Sequence, residues 1–175
     1  MRSLVVYESM FGNTKVIAEA IAKGLSAHST VDIEEVGDAS TPPPPEIDLL
    51  VVGGPTHAFG MSRASTRQSA AEQAEHGIIS SNIGLREWID GLSASGGGIA
   101  LATFDTRIAR PRVPGSAARR AEKRLVGLGY RAVTPPKSFW VQGTPGPLAE
   151  GEVERATHWA KDLAARLSSE SKQLS

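Results

Sequence analysis

The sequence predicts an α/β protein: a three-layer α/β/α sandwich on a five-stranded parallel sheet of order 2-1-3-4-5. Three observations predict it. The runs Leu4–Tyr7, Leu49–Val52 and Ile99–Phe104 are apolar without alternation, as in strands covered on both faces. Segments of helical apolar period fall between most strands, which calls for right-handed crossovers and a parallel sheet. Two weaker runs, one interleaved with carboxylates and one broken by prolines, suit the two edges.

The elements follow in the order β-α-β-β-α-β-α-β-α. Leu4 to Tyr7 form the first strand. Residues 14 to 27 form an amphipathic helix, with Ile17, Ala20, Ile21, Gly24 and Leu25 on one face and Lys15, Glu19 and Lys23 elsewhere. Val31, Ile33 and Val36, with Asp32 and Glu34 between them, make a half-exposed edge strand. Pro42 to Pro45 are a stiff connector, too short to link domains. Leu49 to Val52 form the third strand and stop at Gly53-Gly54-Pro55. Between 62 and 82, Ser65 to Glu75 has helical composition, but its apolar face is alanine only, so it is expected on the surface. Leu85, Trp88, Ile89 and Leu92 mark a firmer helix. After the Gly96-Gly97-Gly98 turn comes the fourth strand, to Phe104. Residues 105 to 116, with Arg107, Arg110, Pro111, Arg112 and Pro114, read as a loop. Ala118, Ala121, Leu125 and Leu128 make a helix ended by Gly127 or Gly129. Residues 130 to 141 read as an edge strand interrupted by Pro135-Pro136. Val153, Ala156, Ala160, Leu163 and Leu167 make the last helix, and Ser168 to Ser175 read as a frayed polar tail.

The 175 residues fit one domain, 1–175. There is no cysteine, which excludes disulfides and thiolate chemistry and suits a reducing cytoplasm, the expected location. Nineteen basic residues balance nineteen acidic ones, so no global charge draws the chain to nucleic acid or a membrane. The N-terminal apolar run is too short for a signal peptide, and no run approaches the roughly 20 residues of a membrane span. No G-x-x-x-x-G-K-[ST] occurs. A phospho-receiver would need an aspartate where Gly53-Gly54-Pro55 stands. His28, His57, His76 and His158 are scattered and suggest no metal site.

The chemistry gathers in three loops. In an open α/β sheet, ligands sit beyond the carboxyl ends of the strands, where the strand order reverses. That point lies between the first and third strands. Ser9-Met10-Phe11-Gly12-Asn13-Thr14 leads from strand to helix and offers free amide N–H groups at the helix start, an anion site. It has no cation before Lys15. Neutral donors suit the phosphate of a bound cofactor better than a phosphoryl group to be transferred. The loop Gly53 to Met61 and the loop Phe104 to Arg112 face it. The second mixes glycine with aromatic side chains, which supplies flat apolar contact and hydrogen bonds to a planar ring.

The opening segment resembles the phosphate-binding signature of the flavodoxin family, with Tyr7, Ser9, Gly12, Thr14, Ala18 and Ile21 at matching positions. Gly54-Pro55-Thr56 with Phe59-Gly60-Met61 resembles the loop around the isoalloxazine in flavodoxins and flavodoxin-like quinone reductases. The likeness of architecture covers essentially the whole chain; the specific motifs cover only the three loops. Flavodoxin with its FMN is a standing illustration of the crevice rule, so the rule adds nothing independent to the resemblance. The resemblance implies a flavodoxin-like fold and FMN as cofactor. It places the phosphate on the side chains of Ser9, Asn13 and Thr14 and on the amides from Met10 to Thr14, those of Phe11 and Gly12 among them. It places the ring beside Pro55, Thr56, His57, Ala58, Phe59 and Gly60, and beside Phe104, Asp105, Thr106 and Arg107, with Phe59, His57 or Phe104 against its faces. Flavodoxins usually set a tryptophan or tyrosine on the ring, and neither occurs in these two loops. They are also usually acidic, whereas this chain is neutral.

The implied function is an electron carrier with no catalytic side chain. It takes electrons from a flavin reductase or NAD(P)H-dependent reductase and gives them to a protein acceptor. One alternative is an FMN-dependent NAD(P)H:quinone-type oxidoreductase, with segment 62–82 as a lid or dimer contact. Another is a non-enzymatic module that stores flavin. Trp88, Trp140 and Trp159 read as packing residues. Arg107, Arg110, Arg112, Arg119, Arg120, Lys123 and Arg124 read as a solvated face, or alternatively as a patch for an acidic partner or anionic substrate. If Arg107 lies near the ring, its charge favours reduced flavin, and the reduction potential should exceed the family's usual range.

Overall fold

In the computed structural model, which describes residues 1–94 and 96–173, the chain runs β1 (Arg2–Tyr7), α1 (Asn13–Leu25), β2 (Thr30–Glu35), β3 (Leu49–Pro55), α2 (Ala64–Gln73), α3 (Leu85–Asp90), β4 (Ala100–Ile108), α4 (Ala117–Gly127), β5 (Arg131–Ala132), β6 (Lys137–Val141) and α5 (Glu152–Gln173). The sheet is parallel throughout, in the order β2-β1-β3-β4-β5, with β6 also on β4. The predicted order holds, and so do the edge positions of the second and fifth strands.

The absence of alternation in β1 and β3 has the expected cause. Val5, Tyr7, Leu49 and Val51 point to one side, into a core with Ile17 and Ile21 of α1 and Ala160 and Leu163 of α5. Leu4, Val6, Leu50 and Val52 point to the other, into a core with Trp88 and Ile89 of α3 and Leu125 of α4. Each large side chain removed from water in these layers contributes on the order of 2 kcal/mol. Trp88 and Trp159 lie in the cores, as their spacing predicts.

Four expectations are corrected. The fifth strand is two strands. β5 pairs with Ala100 and Leu101, and β6 pairs with Phe104 to Ile108, with Pro135-Pro136 between them. Proline has no N–H to give the ladder, so the chain leaves β4 and rejoins it. Because β6 holds it, β4 continues to Ile108; residues 105 to 108 are strand, not loop. Phe104 is not at the surface: it is fully buried, its ring lying over Gly53 and edge-on to Phe139. A Cβ on Gly53 would stand 2.1 Å from that ring, so glycine there is what lets Phe104 into the core. Finally, the tail is helical as far as Gln173; positions 174–175 lie outside the described residues.

Helix α5 is tied to β6 by Glu152. Its Oε2 accepts the Trp140 N–H at 2.7 Å, and its Oε1 accepts Arg155 Nε at 2.8 Å. Arg155 also donates to the Ser138 carbonyl at 2.6 Å. Burial alone would raise the Glu152 carboxyl, but the hydrogen bonds from Arg155 and Trp140 outweigh it and hold it below the usual carboxylate range. A lowered carboxyl stabilises the fold above its unfolded pKa and stops doing so as pH falls through the folded value. Glu152→Gln should therefore cost about 1–3 kcal/mol at neutral pH and much less at an acid pH well below the ordinary Glu pKa of about 4.3. Urea unfolding at the two pH values measures this; an equal cost at both would refute it.

Candidate functional site

The site begins where β1 ends. Gly12 has φ 96°, a left-handed conformation that glycine adopts without strain, and it turns the chain straight into α1. Ser9 is buried, and its Oγ accepts the N–H of Gly12 at 3.2 Å and of Lys15 at 3.3 Å. The loop is held from behind. Ser9 and Ser80 exchange bonds, N–H to Oγ at 2.9 Å and N–H to carbonyl at 2.8 Å, and the Met10 carbonyl accepts the Ile79 N–H at 3.1 Å. These bonds draw the loop carbonyls to one side. Among the described residues, the amides of Met10, Phe11, Asn13 and Thr14 have no protein partner. Four unpaired donors at the positive end of a helix form an anion cradle. Thr14 and Thr106 share a hydroxyl–hydroxyl bond of 2.7 Å across it, and Asn13 Nδ2 donates to the Pro145 carbonyl at 2.6 Å.

The cradle opens into a cavity of about 90 Å³ between Ser9–Thr14, Thr106 and residues 143–145. This adjoins a larger cavity of about 330 Å³, walled by His57, Ala58, Phe59, Arg107, Val113 and the near side of α2. Phe11, Thr56, His57, Arg107, Ile108 and Thr144 border both. A phosphate pocket leading to a wider, mainly apolar space suits a phosphorylated planar ligand. The donor set is neutral, which suits the phosphate of a resident cofactor, and the wider part has aromatic and aliphatic walls that suit a flavin ring. These residues fit the group.

The second loop is a tight turn. His57 and Gly60 exchange backbone hydrogen bonds of 2.7 and 2.9 Å, and the two residues between them are left-handed, Ala58 at φ 40° and Phe59 at φ 75°. Such φ values are uncommon outside glycine and are held here by the surrounding contacts. Gly115 closes against the Phe59 backbone, where a Cβ would stand 2.1 Å from the carbonyl oxygen. Arg120 Nε donates to that same oxygen at 3.3 Å. Phe59 is consequently half exposed, over the cavity. His57 is lowered from its ordinary pKa, chiefly by burial and secondarily by Arg67, so it is neutral at pH 7.

Of the residues expected at the site, most of the first two loops and Thr106 and Arg107 border the cavities. Two of the third-loop residues do not. Phe104 is in the core. Asp105 is buried, and its Oδ2 accepts Ser116 Oγ at 2.5 Å, the Ala118 N–H at 3.0 Å and Thr56 Oγ1 at 3.1 Å. It ties the start of α4 to the second loop from beneath and offers the cavity no contact. Gly60 is also buried, beneath the Arg120 side chain.

One wall comes from the segment that the sequence suggested only as a lid or dimer contact of the oxidoreductase alternative. Thr66, Ser69, Ala70 and Gln73 of α2 line the larger cavity. A helix with only alanine on its apolar face looks solvent-bound, but small side chains are also what a wall leaving room for a ligand needs. The wall is braced by a buried network. Glu8 is 1% exposed; its Oε2 accepts the Leu85 N–H at 2.8 Å and its Oε1 accepts Ser62 Oγ. Arg67 Nη1 donates to Ser62 Oγ at 2.8 Å, and Nη2 pairs with Glu87 at 2.7 Å. Burial raises the Glu8 carboxyl above its usual range, and Ser62, Leu85 and Arg67 offset only part of that. Among the described residues no cluster of three or more metal-ligating side chains is placed to hold an ion, and no helix is long and apolar enough to cross a membrane.

The sequence matches the model of the family described as Flavodoxin over residues 5–95. No curated protein matches it. Among solved structures, a flavodoxin from the domain Archaea aligns at 19% identity and TM-score 0.66, over 96% of this chain and 99% of that one. A flavodoxin from Streptococcus pneumonia aligns at 17% identity and TM-score 0.67, over 95% and 99%. A WrbA-like flavodoxin protein from Agrobacterium tumefaciens aligns at 18% identity and TM-score 0.57, over 94% and 95%. At these identities the structures speak for the fold.

Proposed function

The chain belongs to the flavodoxin family, whose model matches more than half of the sequence, and on that premise we propose that it binds FMN and carries electrons from a reductase to a protein acceptor. The observation that supports this most is the row of unpartnered amides at Met10, Phe11, Asn13 and Thr14, opening directly into the ring-sized cavity. Bound FMN supplies the electron chemistry. The protein's part is to hold the phosphate on amide and hydroxyl donors, to set Phe59 and His57 beside the ring, and to exclude water with the α2 wall. No side chain need take part in the chemistry.

Titrating the purified protein with FMN, followed by absorbance and flavin fluorescence, tests the reading. Saturable binding of one FMN per chain supports it; no perturbed flavin bands at any concentration would remove it. Arg107 makes the electronic part measurable. It borders both cavities, and its guanidinium donates to the Val113 carbonyl at 2.8 Å while its charge has no carboxylate partner among the described residues. A cation beside the ring favours the reduced, more negative state. Arg107→Ala should lower the reduction potential of the bound flavin, and an unchanged potential would sink that role.

The α2 wall supports a second reading, an FMN-dependent NAD(P)H:quinone oxidoreductase. The larger cavity reaches past the two flavin loops as far as Ser69 and Gln73, which leaves space beside a bound ring for a small acceptor. Turnover of NAD(P)H with a soluble quinone by the FMN-loaded protein would favour it over the carrier.

A further inference from the structure

The mouth of the cavity is ringed by cations that the fold does not neutralise. Arg107 borders it and is half-buried, Arg112 and Arg119 line the adjoining basin, and Arg120 reaches the Phe59 carbonyl; the last three are exposed, and none of the four has a carboxylate ion pair among the described residues. Two carboxylates of α3 are committed elsewhere: Asp90 pairs with Arg124, and Glu87 with Arg67. Glu122 feels the charge of Arg119 without an ion pair to it. The chain is neutral overall, so this concentration is local.

Three placements make the cluster costly to the isolated fold. Arg107 and Arg112 both lie over the one indole of Trp140, at 5.7 and 5.6 Å from its centre. Each gains from the ring face, but the pair brings like charges together. Arg119 and Arg120 stand in the first turn of α4, which has no acidic residue there; the positive end of a helix disfavours cations. Arg86 is lowered by burial and then by Arg63 and Arg124, with Glu87 opposing and Arg120 adding to them, so positive charge outweighs negative at the foot of α4. Burial of a carboxylate surface from outside would relieve all three. Within the ring of arginines stand two exposed apolar side chains that also wall the cavity, Phe59 at 50% and Val113 at 43% exposure. An apolar centre with a charged rim is the anatomy of a transient protein interface. Beside it, Arg107, Arg112, Arg119 and Trp140 line a shallow basin that shares Arg107 and Val113 with the flavin cavity.

We propose that this face docks an acidic redox protein, whose carboxylates engage Arg112, Arg119 and their neighbours around Trp140 while Phe59 and Val113 pack against it over the cavity mouth. The docking surface deepens the carrier reading and rests on it for the direction of electron flow; the anion recognition stands on the arginines alone. The pairing has the opposite polarity to that of an acidic carrier meeting a basic partner.

The test uses the full-length protein, with poly-L-glutamate as the acidic probe and the Trp140 indole N–H resonance as readout. Poly-L-glutamate should shift that resonance, with affinity falling about tenfold or more between low and physiological salt. The Arg112→Glu/Arg119→Glu variant should lose the response while keeping its FMN affinity, with a thermal midpoint no lower than that of the wild type, since the like charges are relieved. In the FMN-loaded, reduced protein, electron transfer to acidic cytochrome b5 should slow as salt is added, and transfer to basic cytochrome c should not. The proposal is overturned if poly-L-glutamate leaves Trp140 unmoved at low salt, or if the double variant responds like the wild type. It is also overturned if millimolar inorganic phosphate saturates the same resonance and displaces the polymer, which would mark a small-anion site, or if cytochrome b5 shows no salt dependence. Flavin absorbance in the same samples reads the cofactor separately: missing flavin bands would refute the FMN reading and leave the poly-L-glutamate result standing.

Discussion

Replacing Asn13 by aspartate should weaken FMN binding on the order of a hundredfold and leave riboflavin binding nearly unchanged. The cradle at the start of α1 has amide and hydroxyl donors and no cation of its own until Lys15. A new carboxylate at the first residue of the helix would stand beside the phosphate. Like charges at such range cost about 2–4 kcal/mol in a partly buried setting. The substitution is close to isosteric and suits the helix dipole, so the ligand-free protein should keep its stability to within about 1 kcal/mol. What is lost on both ligands alike is the bond from Asn13 Nδ2 to the Pro145 carbonyl. Riboflavin has the same ring without the phosphate, so comparing the two dissociation constants isolates the charge. An equal loss for both would mean that the loop shapes the ring site and holds no phosphate.

The second large effect is on stability. Arg67→Met should destabilise the protein by about 3–5 kcal/mol at neutral pH, because it breaks the ion pair with Glu87 and removes the cation that reaches the buried Glu8 through Ser62. Arg67 and Glu8 are 5% and 1% exposed, and no solvent can take the missing partner's place. The sign of the pH dependence follows from Glu8. Its carboxyl is raised by burial, and a raised carboxyl favours the fold below its unfolded pKa and ceases to do so as pH rises through the folded value. Without Arg67 the carboxyl rises further. The deficit of the variant should then shrink as pH is lowered and Glu8 takes up a proton. Adding Glu8→Gln should recover part of the loss at neutral pH. Urea unfolding across pH measures both; a deficit independent of pH, unrelieved by Glu8→Gln, would show that Arg67 acts by packing alone.

These two residues also mark the boundary of what could be read from sequence. The turn from β1 into α1 was legible because everything it needs is local: a strand, a glycine turn and a helix start lie within a dozen positions. The sheet order was legible for a related reason, since both faces of β1 and β3 are apolar and two weaker runs were left for the edges. Arg67 was not legible. It sits in a helix of polar and small residues, and only the fold brings Ser62, Glu8 and Glu87 around it. Phe104 failed in the same way. Its inward position depends on Gly53, far away in sequence and directly opposite in register. The Pro135-Pro136 break was visible, but that the chain would return to β4 after it was not. That return lengthens β4 and carries Asp105 beneath the loops. Trp140 was rightly placed at an edge, while its two arginine neighbours come from a segment whose path no local pattern fixes.

The two margins of the sheet bear on how the protein behaves when concentrated. On one side β2 carries Asp32 and Glu34, and Arg2 bridges that margin to Asp32 and Glu46. On the other, the ladder is cut at the prolines, and the outer flank of β6 is taken by the chain's own return: Ala149 donates to the Trp140 carbonyl at 2.8 Å and Gln142 to that of Pro147 at 2.9 Å. The first margin guards its free peptide groups with charge and the second has its outer flank occupied, and both devices hinder the edge-to-edge pairing by which sheets recruit one another into aggregates. The broken fifth strand is thus a safeguard as well as an irregularity. It lets a chain with a strongly apolar sheet present its arginine-lined face to other proteins without inviting its own copies to join the sheet.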